Sequence, residues 1–197
     1  MCRSTFAPPV VSSFLVAILV AGLSACVPAR YEAVEPGTFH GTIDLRWVDS
    51  DIFVYIPNPD DPFRFERSDG SVIEPGVLIT DGGSTPRVLR AFPHLSPWAY
   101  APAYLLHDYV FRAHHCQFPL ERPFTFEDSV QITGEALRTH MEANPELRHP
   151  GVYELIVTSL NSAAARVYWH TGTCDTGDDY PAISVLAQLD SPVPPHP

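Results

Sequence analysis

A few residues in this chain have types and spacings that could do chemistry. Asp81 and Ser84 lie in the run Asp81-Gly82-Gly83-Ser84-Thr85-Pro86, His107-Asp108 follows further on, and Asp128 lies beyond that. Carboxylates with an imidazole are a donor set for a divalent cation, and a cation gives a reason to gather negative groups that otherwise repel. On that reading the ligands are Asp81, His107, Asp108 and Asp128. A second chemistry uses Asp81, Ser84, His107 and Asp108 as catalytic residues. The glycines before Ser84 give the strand-to-helix setting of a nucleophile elbow, although the closing glycine is missing and Pro86 restricts the turn. The same residues also have plain structural uses. Asp81 can accept from amides of its own turn, Ser84 can cap the next helix, and His107 can be a buried hydrogen-bonding strut.

Helix geometry separates two of them. Neighbours on a helix differ by about 100°, so His107 and Asp108 face different sides and cannot form one tight pair. His107 falls on the side of Ala103 and Val110, towards a core, while Asp108 shares a face with Tyr104 and Arg112 and is placed for an i,i+4 ion pair with Arg112. Asp128 falls opposite the apolar stripe of its own helix, which predicts a solvated carboxylate. His-Asp metal phosphohydrolases need a preceding His, and the nearest candidate, His94, is too distant. Asp175, Asp178 and Asp179 lack the alternating ligand pattern of a calcium loop.

The elements that must position these residues change character along the chain. Thr42 to Val48 alternates, with Ile43, Leu45 and Trp47 on one face, and predicts a half-buried strand. Ile52 to Ile56 predicts a central strand after a turn at Asp49-Ser50-Asp51. Phe63 to Arg67 is expected to fold back through Ser68-Asp69-Gly70-Ser71 onto Val72 and Ile73, and Val77 to Thr80 predicts another short strand. Beyond Asp81 the spacing turns helical. A short helix is expected behind Pro86, one from Pro102 to about His114, one over Thr125 to Glu142 with Phe126, Val130, Thr133, Leu137 and Met141 in a stripe, and one over Tyr153 to Trp169. Strands first and helices second predict an α+β fold, a single domain with antiparallel strands followed by three to four helices packed on the sheet.

Three blocks resemble a known family. Pro75-Gly76-Val77-Leu78-Ile79-Thr80-Asp81-Gly82-Gly83-Ser84-Thr85-Pro86, then Ala103-Tyr104-Leu105-Leu106-His107-Asp108-Tyr109, then Glu127-Asp128 are similar to the DUF1353 family, a domain of unknown function. Gly83 stands where that family usually has Ala, and the loop from His114 to Pro123 is longer than its pattern. Members are often carried by phages and prophages, so the resemblance implies a phage-related setting and no particular activity.

The N-terminus bears on location. Arg3, an apolar run from Val10 to Gly22 and Leu23-Ser24-Ala25-Cys26 match a bacterial lipoprotein signal, with an apolar run too short to span a bilayer. The expected organisation is a signal over residues 1–25, lipidation at Cys26, a tether over 26–37, the domain over 38–190 and a Pro-rich tail over 191–197. Val27 in place of Asp favours the outer membrane, facing the periplasm. Cys116 and Cys174 then remain in an oxidising compartment and predict a disulfide, with a zinc site from His115, Cys116, His170 and Cys174 as the alternative. The chain has 12 basic and 23 acidic residues, a formal net charge of −11, which argues against nucleic acid as a partner. With 21 prolines and 11 glycines in a chain that is 45% hydrophobic, a folded domain rich in loops is expected. The functional expectation is an envelope protein that binds an envelope polymer or protein. The alternative is a periplasmic hydrolase of peptidoglycan or a similar polymer, with a divalent metal as its cofactor.

Overall fold

The computed structural model describes residues 30–49, 52–82 and 97–174. Its first half is short antiparallel strands in two small sheets. β1 (Thr38–His40), β4 (Arg64–Glu66) and β5 (Val72–Ile73) form one, in the order β1-β4-β5. β2 (Leu45–Asp49), β3 (Ile52–Tyr55) and β6 (Leu78–Thr80) form the other, with β3 central. The β4–β5 turn is built as its residue types require. Gly70 takes a φ of 82°, where a side chain would be strained, and the Asp69 carboxylate accepts from the Ser71 amide at 2.8 Å.

Among the described residues four α-helices follow: α1 (Ala101–His115), α2 (Phe126–Ala143), α3 (Pro150–Leu160) and α4 (Ala163–Thr171). Pro102 lies in the first turn of α1, where its missing N–H costs nothing. The stripe expected on α2 is the face it buries: Phe126, Thr133, Leu137 and Met141 are covered, and Val130 packs partly buried at the margin. α1 lies across α2 and against β6 and α4, and α3 packs on α2. The core between sheets and helices holds Tyr55, Phe63, Phe65, Leu78, Tyr100, Leu106, Val110, Ile132 and Leu137. Each such side chain contributes roughly 1.5–3 kcal/mol by leaving water, before the opposing chain entropy. The protein is thus an α+β fold in which strands and helices make one body.

Three expectations need correcting. The helix expected over Tyr153 to Trp169 is two helices. α3 ends at Leu160 with Asn161 as its cap, and Ser162 caps α4 by accepting from the Ala165 amide at 3.2 Å. A serine acceptor offers the next helix a start, so the chain breaks there and Trp169 is buried while Val167 is 60% exposed.

The described part of the stretch read as a tether is fastened to the helices at Tyr31 and Gly37. Tyr31 is fully buried, its hydroxyl donates to Glu142 at 2.8 Å, the Arg138 guanidinium sits 4.0 Å over its ring, and the Gly37 amide donates to Thr139 at 2.8 Å. Burial, together with the Glu142 carboxylate, pushes the Tyr31 phenol up to about 12.

Trp47 is 71% exposed, although the alternation is right about its face. It lies on the side of the sheet that carries Tyr55 and Leu78 into the core, in one row with Phe53 and the buried Thr80, but on the edge strand β2. The turn at Ser50-Asp51, the helix behind Pro86 and the Pro-rich tail lie outside the described residues.

Candidate functional site

The site is built where β6 ends. Thr80, 5% exposed, closes a tight turn in which its hydroxyl oxygen accepts from the Gly82 amide at 2.9 Å. Gly82 takes a φ of 77°, a conformation that a side chain would oppose. The Thr80 hydroxyl proton is then given to the Asp108 carboxylate at 2.6 Å. One turn further along α1, Arg112 donates to the Val77 carbonyl at 2.8 Å. The i,i+4 ion pair expected between Asp108 and Arg112 is therefore replaced by two separate clips, which fasten both ends of β6 to α1. Sequence spacing showed that the two side chains share a face; it could not show that a strand lies across it.

Burial pushes the Asp108 carboxyl up to about 7; the Thr80 hydrogen bond opposes this, and the neighbouring Asp81 charge reinforces it. His107 departs from Asp108 as helix geometry requires. Its Nδ1 lies 3.3 Å from the Thr133 hydroxyl, which already donates to the Ser129 carbonyl at 2.7 Å. With its proton committed, Thr133 can only accept, so His107 carries its hydrogen on Nδ1. Burial holds the imidazole down at about 4, and it is neutral at pH 7.

No protein-family model, curated protein or solved structure matches the chain. The resemblance to the DUF1353 family therefore rests on its sequence blocks alone, and the chemistry has to be argued from the side chains.

Asp81 directly follows Thr80, whose hydroxyl binds Asp108, so the two carboxyls are neighbours at the β6–α1 junction, and a carboxyl pushed up towards neutrality near a second one can hold or release a proton at physiological pH. His107 adjoins them in sequence but is turned onto α2. Asp128 is not solvated as expected. It closes a capping box with Thr125, receiving the Thr125 amide at 2.7 Å while its own amide donates to the Thr125 hydroxyl at 3.1 Å, and it pairs with Arg122 at 2.8 Å. Arg122 foremost, with the Thr125 hydrogen bonds, draws its carboxyl down to about 2. Of the ligand set Asp81, His107, Asp108 and Asp128, only Asp81 and Asp108 are thus neighbours, and His107 and Asp128 are held elsewhere. Among the described residues no three His, Cys, Asp or Glu side chains are placed to hold a metal ion. Asp128→Ala removes a cap and an ion pair together, so it should lower stability by about 1–2 kcal/mol without changing any response to divalent metal, as thermal denaturation with and without the ion would read. Metal-dependent stabilisation lost in this variant would restore Asp128 as a ligand.

Ser84 and His94 lie outside the described residues, as do Asp175, Asp178 and Asp179. Cys116 and Cys174 are joined in a disulfide with Cα atoms 4.5 Å apart, which corrects the zinc alternative. His115 instead contacts the Trp169 carbonyl at 3.2 Å, and His114 stacks on the Trp169 ring at 3.9 Å.

Sequence reasoning missed Thr80 and Thr133, the hydroxyls that fix Asp108 and His107. Thr80 had a signal, since it directly precedes the Asp-Gly turn. Also missed was a groove of about 400 Å³ between residues 30–35, the β4–β5 turn, α2 and α3. At one side the buried Glu135 carboxylate is held by Arg67 at 3.0 Å and by the Ser68 amide.

Proposed function

We propose that this protein is a lipid-anchored envelope protein, tethered through Cys26 on the periplasmic side, which binds an envelope polymer or protein partner, in a phage-related setting as the DUF1353-like blocks imply. The observation that carries binding over catalysis is the division of the polar set. Asp108 is held by Thr80, His107 by Thr133 and Asp128 by Thr125 and Arg122. Asp108 serves β6, His107 and Asp128 serve α2 at separate points, and no nucleophile, base and orienting group meet among the described residues. The Cys116–Cys174 disulfide is consistent with an oxidising compartment. No described helix is long and apolar enough to cross a membrane, so on this reading the lipid supplies the anchor. The acidity of the chain disfavours nucleic acid as the partner.

A second reading, a periplasmic hydrolase of peptidoglycan or a similar polymer, draws on the burial of Asp108, which pushes its carboxyl up to about 7 with Asp81 near by. One preparation tests both. Full-length protein expressed in a Gram-negative host and extracted in detergent is incubated with isolated cell-wall sacculi and with membrane fractions, and its mature N-terminus is read by mass spectrometry. The binding reading expects a diacylated or triacylated Cys26 at the N-terminus and co-sedimentation without release of soluble fragments. Release of fragments that disappears in Asp108→Asn would favour the hydrolase, and an unmodified N-terminus elsewhere would remove the anchor.

A further inference from the structure

The second sheet carries a row of aromatic rings outside the hydrophobic core. Trp47 on β2 is directly opposite Phe53 on β3, and Phe53 is directly opposite Thr80 on β6. Paired residues put their side chains on the same face, so Trp47, Phe53 and Thr80 form a line across the sheet, about 10 Å over two strand spacings. The Trp98 ring packs on Phe53 with centroids 4.3 Å apart. Trp47 is 71% exposed and Trp98 43%. Thr80, at the far end of the line, is the residue that holds Asp108 beside Asp81. The aromatic row therefore runs into the acidic junction, and β2 borders it as an edge of its sheet.

We infer that the Trp47–Phe53–Trp98 row is a saccharide-binding platform that delivers a glycan chain towards the Asp81–Asp108 junction. A pyranose ring has an apolar C–H face and a rim of hydroxyls, and this row offers a counterpart to each. The exposed indoles supply flat apolar surface, of the kind that marks interaction sites when it is left uncovered. The edge of β2 supplies a row of backbone donors and acceptors, and the carboxylates at the end of the row accept hydrogen bonds from hydroxyls. A bilayer is a poorer occupant, because these polar groups would enter its interface unpaired and the net charge of −11 opposes an anionic surface. The inference rests on the binding reading above and names the chemical class of its partner.

The probe is a soluble N-acetylglucosamine tetramer, titrated into the full-length protein in detergent while tryptophan emission is followed. Trp47, Trp98 and Trp169 are the three indoles, and Trp169 is buried. A saturable change in emission is expected, retained in Trp169→Phe. Trp47→Ala removes a side chain that is mostly in water and leaves the core untouched, so it should fold normally and bind about tenfold or more weakly. Absence of a saturable change, equal affinity in Trp47→Ala, or the same emission change produced only by vesicles of phosphatidylethanolamine and phosphatidylglycerol would overturn the inference. Co-sedimentation with sacculi that persists in Trp47→Ala would overturn the platform while leaving the binding reading standing. Loss of co-sedimentation in the parent would end that reading itself.

Discussion

Substituting His107 and Asp108 one at a time is expected to tilt the pH dependence of stability in opposite directions, while the parent stays nearly flat between about pH 4 and 6.5. The Asp108 carboxyl is raised from 3.8 to about 7 in the folded protein. Between those values the folded state holds a proton that the unfolded state has released, so its contribution is complete below the lower value and is lost as pH rises through the upper one. The His107 imidazole is lowered from 6.5 to about 4. There the unfolded state holds the proton and the folded state does not, so its contribution is complete above the upper value and is lost as pH falls through the lower one. The two slopes, each about 1 kcal/mol per pH unit after allowance for the partial solvent access of both groups, oppose each other over the shared interval. Asp108→Asn leaves only the histidine: stability should climb by roughly 2–3 kcal/mol from pH 4 to 6.5, with Thr80 still donating to the amide oxygen. His107→Gln leaves only the aspartate, and stability should fall by a similar amount towards pH 7. Urea denaturation of the three proteins at stepped pH reads the slopes directly. Parallel curves would mean that neither group is as desolvated as the packing requires.

A group that costs stability at neutral pH has a use elsewhere or is tolerated for its packing. Asp108→Asn therefore also discriminates between roles. A variant that is more stable than the parent above pH 7 and still binds its partner leaves Asp108 as the clip that holds β6 to α1. One that is more stable and no longer binds, or no longer releases fragments, places the carboxyl in the functional site.

The parts of this fold that were legible in the sequence are those governed by neighbours in the chain. Thr125 before an apolar stripe specified α2, Pro102 opened α1, and Ser68-Asp69-Gly70-Ser71 specified the β4–β5 turn. The α3–α4 break was also local, because Ser162 can cap a helix, but Leu160, Ala163 and Val167 kept a helical spacing across it and masked the signal. What was not legible depends on residues far apart. Helix spacing paired Asp108 with Arg112, and only the arrival of β6 turned them onto Thr80 and Val77. Alternation put Trp47 on the inner face, but that Thr80 in the same row is covered while Trp47 on the edge strand is left exposed is a property of the whole packing. Tyr31 reads as part of a linker until Arg138, Glu142 and Tyr153 from two later helices surround it. The same limit applies to function: residue types suggested a metal or a triad, and packing has distributed them among three partners.

Replacing both Cys116 and Cys174 with alanine should lower stability by about 4 kcal/mol, the loop-closure entropy released when a crosslink spanning 58 residues is removed from the unfolded chain. Both are replaced so that no free thiol remains to exchange or dimerise. The bridge joins the C-terminal end of α1 to the chain just beyond α4, and the same two elements also meet through aromatic contacts. His114 stacks on Trp169, Phe111 meets the same indole edge-on at 4.9 Å, and Trp169 is 3% exposed. The folded state should therefore keep its native Trp169 emission, and the loss should come from a more expanded unfolded state. That predicts a lower urea midpoint together with a steeper dependence on urea, and a melting temperature lower by roughly 10 °C or more for a domain of this size. If the bridge instead holds α4 in place, the variant's Trp169 emission shifts before any denaturant is added and the urea dependence becomes shallower. A loss below about 1 kcal/mol with unchanged slope would contradict both accounts. It would also weaken the link between this bond and an oxidising compartment, since a fold indifferent to its disulfide has no need of a place where the bond can form.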